Sequence, residues 1–381
     1  MTDTPRPPRT LIDVTAVPSD RRGVGRYIDE LVAAFDEPVI IACQEHDAEH
    51  YRRLAPRSTV LPQRGIRGVA ARLVWEQLRL PGVAKLAGAR VIHSPHYTVP
   101  LFTRRARVVT FHDATFFSNP GVHTRFKKVF FRTWIRLSGR LARAIIVPSR
   151  ATASELDRYA NRKRGLDYQV IYHGVDREIF RPPTTAEIAT AAIALRLGTA
   201  GWIGFLGTIE PRKNLPELLK AYRQLVERWD PAWGDVMPLA LAGGAGWGDG
   251  ISADIAAVPA PGRVVSLGYV DLALIPAFLG GSTILAYPSL GEGFGLPVLE
   301  AMACGSTVMT TRRLALPEVG GDAVAYSDPD AAALLDTMVR LLSNPSERAD
   351  LAARGVARAN TFTWARAARM HLDSYRAAEL S

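Results

Sequence analysis

The chain has 381 residues, 48% of them apolar and 22% charged, with two cysteines and a formal net charge of +10. A single core stops growing near 250 to 300 residues, so this length predicts two domains, and the apolar fraction excludes extended disorder. Cys43 and Cys304 alone exclude a disulfide framework or a cysteine-rich zinc site, and the lack of an 18-residue uncharged apolar run argues against a transmembrane helix.

The polar, proline-rich segment 1–10 has no apolar stretch of the kind a signal peptide needs, so a flexible tail on a cytoplasmic protein is expected. From there, short apolar β-branched runs alternate with helical periodicity. Strands are predicted over 11–17, 39–43, 90–93, 108–112, 144–147 and 169–172. A second series follows at 202–206, 239–242, 264–267, 284–287, 307–310 and 323–326. Between them, Ile28, Leu31, Val32 and Phe35 share one helix face, as do Leu215, Leu218, Leu219 and Tyr222. Continuous apolar strands interleaved with helices imply parallel sheets covered on both faces. The predicted fold is therefore α/β, with two Rossmann-like doubly wound domains over 11–182 and 198–362. The prolines of RPPTTAEIAT mark 183–197 as the linker.

Charge is unevenly distributed. Residues 1–190 carry 31 basic and 18 acidic side chains, a net of +13, whereas 191–381 carry 16 and 19, a net of −3. An anionic partner for the first half is implied. Within 125–143, Arg125, Lys128, Arg132, Arg136, Arg140 and Arg143 run beside Phe126, Val129, Phe130, Trp134, Leu137 and Leu141. This pattern fits a helix on an anionic bilayer, and equally a core-facing helix with a solvated basic side. No sequence-specific nucleic-acid module is present.

Four segments carry chemistry. In SLGEGFGLPVLEAMACG (289–305), Pro297 opens a helix whose leading amides form an anion site, while Glu292 and Glu300 suit hydroxyl groups. Taken alone, the same segment also reads as a glycine-rich cap with Glu300 solvated. In FLGTIEPRKNLPELLKAY (205–222), Arg212 and Lys213 precede a helix start and suit a diphosphate. RRGVGRYIDEL (21–31) lacks the third glycine of the dinucleotide fingerprint, which disfavours a dehydrogenase; Gly25 is its candidate for phosphate approach. FHDATFF (111–117) places His112 at a strand's C-terminal end, the functional edge of a parallel sheet. Asp328–Pro329–Asp330 matches D-x-D, but Asp followed by Pro before an alanine–leucine run reads as helix capping, so no metal site is assigned.

Together, the Glu292/Glu300 pair in GEGFGLPVLEAMACG, the loop GTIEPRKNL, GVGRY, FHD and VPSRATASEL resemble retaining glycosyltransferases of family 4, with the GT-B fold and mannosyltransferase-like members. The resemblance implies two domains facing a central cleft and a metal-independent hexosyl transfer to an acceptor hydroxyl. It gives His112, Glu292, Arg212 and Lys213 catalytic roles. The donor, GDP-mannose as first guess, would be held by Gly25, Arg212, Lys213, Gly293, Phe294, Gly295, Leu296 and Glu300, with Glu300 on the ribose. Segment 267–270 matches the base-contacting strand end loosely, Arg150 is a weaker substrate contact behind the cap Ser149, and the last helix over 363–381 returns to the first domain. No cofactor is implied beyond the nucleotide sugar. The expected partners are a glycan or glycolipid acceptor and an anionic membrane, on the inner face of the plasma membrane. Rival readings are a sugar phosphorylase or nucleotide-sugar epimerase of the same fold, or a non-catalytic nucleotide or polyanion binder.

Overall fold

A computed structural model describes residues 10–17, 21, 23–118, 125–160, 165–244 and 251–380. Residues 1–9 of the expected tail and Arg22 lie outside the described residues. The chain divides into two compact units, one of Met1–Gly174 with Thr363–Ser381 and one of Val175–Phe362.

The first unit holds a seven-stranded sheet. Its strands are β1 (Thr10–Asp13), β2 (Ile40–Gln44), β3 (Thr59–Gln63), β4 (Val91–Ser94), β5 (Ala106–Thr110), β6 (Ala144–Val147) and β7 (Tyr168–Val170), in the order β3-β2-β1-β4-β5-β6-β7. All pairings are parallel, with Ile12 opposite Ile41 on one side and His93 on the other. Strands β1, β4 and β6 are buried along their full length; β6 is wholly apolar, whereas β1 and β4 also bury Thr10, Asp13, His93 and Ser94. Strand β3 was not anticipated. It is a half-exposed edge strand containing Pro62, and proline in a run speaks against a central strand.

The helix Trp364–Leu380 packs on this first sheet although it follows the whole second unit in sequence. Polar contacts as well as apolar ones hold it. The Nδ1–H of His371 donates to Ala367 O at 2.8 Å, so its Nε2 accepts from Tyr27 Oη at 2.8 Å. Tyr375 Oη lies 2.8 Å from His93 Nδ1, and Thr110 Oγ1 joins His93 Nε2 (2.9 Å) to Tyr27 Oη (3.2 Å). Burial pushes His371 down to about 4 and His93 well below the usual histidine value, so the network is neutral at pH 7. Near the strand ends, Ser149 caps the helix Arg150–Tyr159, its Oγ accepting from Thr152 N at 3.0 Å.

The second unit has β8 (Trp202–Leu206), β9 (Leu239–Ala242), β10 (Val264–Gly268), β11 (Ser282–Tyr287), β12 (Val308–Thr311) and β13 (Ala325–Ser327), ordered β10-β9-β8-β11-β12-β13 and all parallel. Both sheets thus follow the doubly wound order, reversing direction between β1 and β4 and between β8 and β11. Where β8 and β9 end, Gly243 has φ +147°, and a Cβ there would stand 1.9 Å from Gly207 O. Only glycine lets those two backbones approach so closely.

The expected linker over 183–197 is instead part of the second unit. Thr184 and Glu187 form a capping box that opens the helix Thr185–Ala194, so Pro182 and Pro183 lead into a helix. The D-x-D segment caps a helix, though through Asp330, whose Oδ1 accepts from Ala333 N at 3.0 Å, with Pro329 just before the cap.

Replacing Ser149 with Ala should lower the unfolding free energy of the first unit by about 1 kcal/mol, read by denaturant titration. No loss would show that the cap contributes nothing.

Candidate active site

The C-terminal ends of β8 and β11 adjoin where the second sheet reverses direction, the position at which doubly wound sheets bind ligands. After β8 the chain makes a short 3-10 turn, Pro211–Lys213, before the helix Leu215–Glu227. After β11 it enters the glycine-rich loop, and the two loops are tied by Leu290 N donating to Arg212 O at 2.8 Å.

The Glu292 carboxylate is the centre of this site. Its Oε1 accepts from Lys213 Nζ at 2.7 Å, Tyr287 Oη at 2.8 Å and Ser289 Oγ at 2.6 Å, and its Oε2 accepts from Arg212 Nη1. Arg212 also donates to Gly291 O at 2.7 Å and to Glu210 Oε1 at 2.6 Å, while Lys213 donates to Tyr287 Oη at 2.6 Å. Arg212 and Lys213 therefore face two carboxylates, and the cluster of four is formally neutral. The sequence expectation had both cations directed at a diphosphate and Glu292 at the sugar; here they are paired with one another. Tyr287 and Ser289 were not singled out. Their position, four and two residues before Gly291 at and just beyond the end of strand 284–287, was the only available signal.

Burial by itself would raise the Glu292 carboxyl. The charges of Lys213 and Arg212 and the hydrogen bonds outweigh it, holding the group down at about 2. Lys213 is lowered because burial outweighs its attraction to Glu292, and Tyr287 is raised well above the usual phenol value by burial and the same carboxylate.

Beyond Glu292, Gly295 caps the helix Leu296–Ala303 in a left-handed conformation with φ +107°. Pro297 in the first turn has no N–H, so the donors at this helix start are carried by the residues around it, Gly295 and Leu296 among them. Phe294 turns its ring inward, 6.0 Å from Phe362 in an edge-on contact, and Gly293 precedes it in the loop. Glu300, in the second turn, is only 3% exposed, so it is not a solvated surface acid. Segment 267–270 runs from the end of β10 through exposed Tyr269 to buried Val270.

Gly25 and His112 lie in the first unit. Gly25 is buried in the first turn of the helix Val24–Ala33. His112 follows β5, and its Nε2–H donates to Pro95 O at 2.8 Å. The Tyr27 and Tyr97 rings meet it edge-on at 5.0 and 5.8 Å. Burial lowers its pKa despite the Pro95 carbonyl and the Asp113 charge, so the ring is neutral at pH 7 with Nδ1 as its acceptor atom. Arg150 opens the helix capped by Ser149 and is exposed.

Residues 21–179 match the model described as Glycosyltransferase Family 4, and residues 194–358 match Glycosyl transferases group 1. O-antigen chain mannosyltransferase B from Escherichia coli is 32% identical over 75% of this chain and 74% of its own length. The chain belongs to the family 4, group 1 glycosyltransferases. A D-inositol 3-phosphate glycosyltransferase of Frankia alni is 36% identical over 54% of this chain, and the chain spans about half of that relative's length. The solved structure of Anabaena Alr3699/HepE with UDP and glucose superposes on the glycosyltransferase with a TM-score of 0.76 at 18% identity, over 96% of this chain and 98% of that one. That likeness shows the GT-B fold. No helix among the described residues of the glycosyltransferase is long and apolar enough to cross a membrane.

Because the Glu292 carboxyl drops from 4.5 to about 2 on folding, its pairing stabilises the second unit above pH 4.5 and is lost as pH falls towards 2. The displacement is worth about 3 kcal/mol. Acid titration followed by intrinsic fluorescence should show this loss, and Glu292→Gln should flatten it. An unchanged acid profile in the variant would contradict the pairing.

Proposed function

We propose that the glycosyltransferase moves a hexosyl group, mannosyl as first choice, from a nucleotide-diphosphate sugar to an acceptor hydroxyl with retention and without a metal ion. The observation that carries this reading is the Arg212–Lys213–Glu292 cluster beside the Gly295 helix start, where the second sheet reverses direction. In this reading, cleavage of the sugar–phosphate bond leaves negative charge on the diphosphate, which Arg212, Lys213 and the amides around Gly293, Phe294, Gly295 and Leu296 stabilise. The acceptor oxygen bonds to the anomeric carbon on the face the phosphate leaves, and its proton passes to the departing phosphate oxygen. Glu292 sets the two cations and meets the sugar through its loop. Glu300, a buried acid one helix turn further in, accepts from the ribose hydroxyls. Gly25 approaches the phosphates, and neutral His112 meets the sugar through Nδ1.

The mannosyl choice and a cell-envelope glycan as acceptor are supported by the O-antigen relative; the inositol-phosphate relatives support a phosphorylated acceptor. For the base, GDP is the first choice, and the UDP-binding neighbour makes UDP the comparison. In the helix Arg125–Leu141, Ile135, Ser138 and Gly139 are buried, while Arg132 and Arg136 lie over the Phe117 ring at 5.4 and 5.2 Å. Its first turns still expose Phe126 and Val129 among Arg125 and Lys127. This end is our candidate for contact with anionic lipid at the inner membrane face.

A melting-temperature panel of GDP-mannose, UDP-glucose, UDP-N-acetylglucosamine, ADP-glucose and dTDP sugars, with and without magnesium, tests the donor. One base class should stabilise the protein independently of magnesium, by about 3 kcal/mol at a hundredfold excess over Kd. Glu300→Ala should abolish that shift; a retained shift overturns the ribose assignment. In vesicle sedimentation, binding should require anionic lipid and weaken with salt. Salt-independent or absent binding overturns the membrane contact.

A further inference from the structure

A second buried polar cluster sits where the first sheet reverses direction. Asp13 ends β1, His96 follows β4, and Arg72 and Glu76 project from the helix Gly68–Leu78. Ligand atoms of Asp13, Glu76 and His96 lie within 4.8 Å of one another, a spacing suited to a metal. A guanidinium stands among them instead. Arg72 Nη1 is 2.7 Å from both Glu76 Oε2 and His96 Nε2 and 3.8 Å from Asp13 Oδ2. A permanent cation at that point leaves no room for a second one.

What Arg72 grips is a turn. Tyr97 has φ +63°, and Thr98 N donates to His96 O at 2.7 Å, closing three residues around a strained backbone. Arg72 clamps the residues on both sides of Tyr97, donating to His96 through Nη1 and to Thr98 Oγ1 through Nη2 at 3.0 Å. Glu76 holds the clamp, since its Oε2 accepts from Arg72 and, at 2.6 Å, from Thr98 Oγ1. The same helix continues the grip through Gln77, which bonds Val99 O and Leu101 N at 3.2 and 2.9 Å.

The turn in turn faces His112. Pro95 supplies the carbonyl that receives its Nε2–H, the Tyr97 ring meets it edge-on, and Tyr97 Oη accepts from the neighbouring Asp113 N at 3.2 Å. We propose that Arg72, Glu76 and Thr98 are positioning residues for His112: they lock the Pro95–Thr98 turn so that the Pro95 carbonyl fixes the imidazole as its Nε2–H tautomer, presenting Nδ1 as acceptor. The catalytic consequence rests on the role given to His112 above; the geometric one does not. A neutral imidazole whose Nε2–H is bound to a carbonyl can take a hydrogen bond from a sugar hydroxyl only at Nδ1.

The test uses the full chain labelled with ¹⁵N-histidine, with the His112 ring signals assigned through His112→Gln. Arg72→Met removes the clamp but leaves Glu76 buried without its partner and risks the fold. Thr98→Val is the milder probe, because it deletes only the hydroxyl, and Thr98→Ser restores it. In the parent and in Thr98→Ser, the imidazole spectrum should show the Nε2–H tautomer alone. In Thr98→Val the Nδ1–H tautomer should appear. Turnover of GDP-mannose, or of whichever sugar in the panel stabilises the protein, should fall about tenfold in kcat with donor KM within about twofold. An unchanged His112 tautomer in Thr98→Val, or a Thr98→Ser variant that behaves like it, overturns the positioning. A changed tautomer with unchanged kcat upholds the positioning and overturns the catalytic role of His112.

Discussion

Burying the Glu292 carboxylate obliges donors from separate segments to converge on one point. Lys213 and Arg212 come from the turn after β8, Tyr287 from the end of β11, and Ser289 from the loop that follows. A carboxylate left unpaired there would cost several kcal/mol, so the two loops have little freedom to drift apart. Two further anchors extend the same constraint: Thr310 Oγ1 donates to Tyr287 O and Thr311 Oγ1 to Ser289 O. The geometry at this strand junction is thus set by the fold itself.

The two sheets solve the same topological problem with different chemistry. Each reverses strand order once and leaves a gap at the C-terminal ends of two strands. In the second unit two cations balance two carboxylates around Glu292. In the first, a single guanidinium sits among Asp13, Glu76 and His96 and serves a backbone turn. The surplus positive charge of the first half lies elsewhere, much of it along the helix Arg125–Leu141 and the segment before it.

Much of this architecture is legible in the sequence, because strands buried on both faces are mostly apolar. Strands β6, β8 and β9 are such runs, while Asp13 in β1 and His93 in β4 interrupt theirs. Edge strand β3 escaped because Thr59 and Pro62 are exposed and break the pattern. The helix Thr185–Ala194 escaped because Pro182 and Pro183 read as breakers, while the Thr184–Glu187 capping box just behind them carried the opposite signal. At the site, motif chemistry identified Arg212, Lys213, Glu292 and Glu300 as residue types suited to a donor. It did not reveal that the first three bind one another, since a motif states what a side chain is and not what it faces. Arg72, Glu76 and His96 were invisible for a stronger reason: a cluster assembled from a helix and two strand ends has no spacing in sequence.

The helix Trp364–Leu380 has a consequence for how the protein is made. Synthesis runs from the N-terminus, so the ribosome has emitted all seven strands of the first sheet, and then the entire second unit, before Tyr375 emerges to meet His93. Until then Tyr27 Oη lacks His371 and His93 Nδ1 lacks Tyr375, and the apolar surface around them stays uncovered. The second unit is contiguous and can close on itself while the first waits. The nascent chain therefore passes through a long interval in which its earlier half is the less complete one, the reverse of the usual order of domain folding during synthesis.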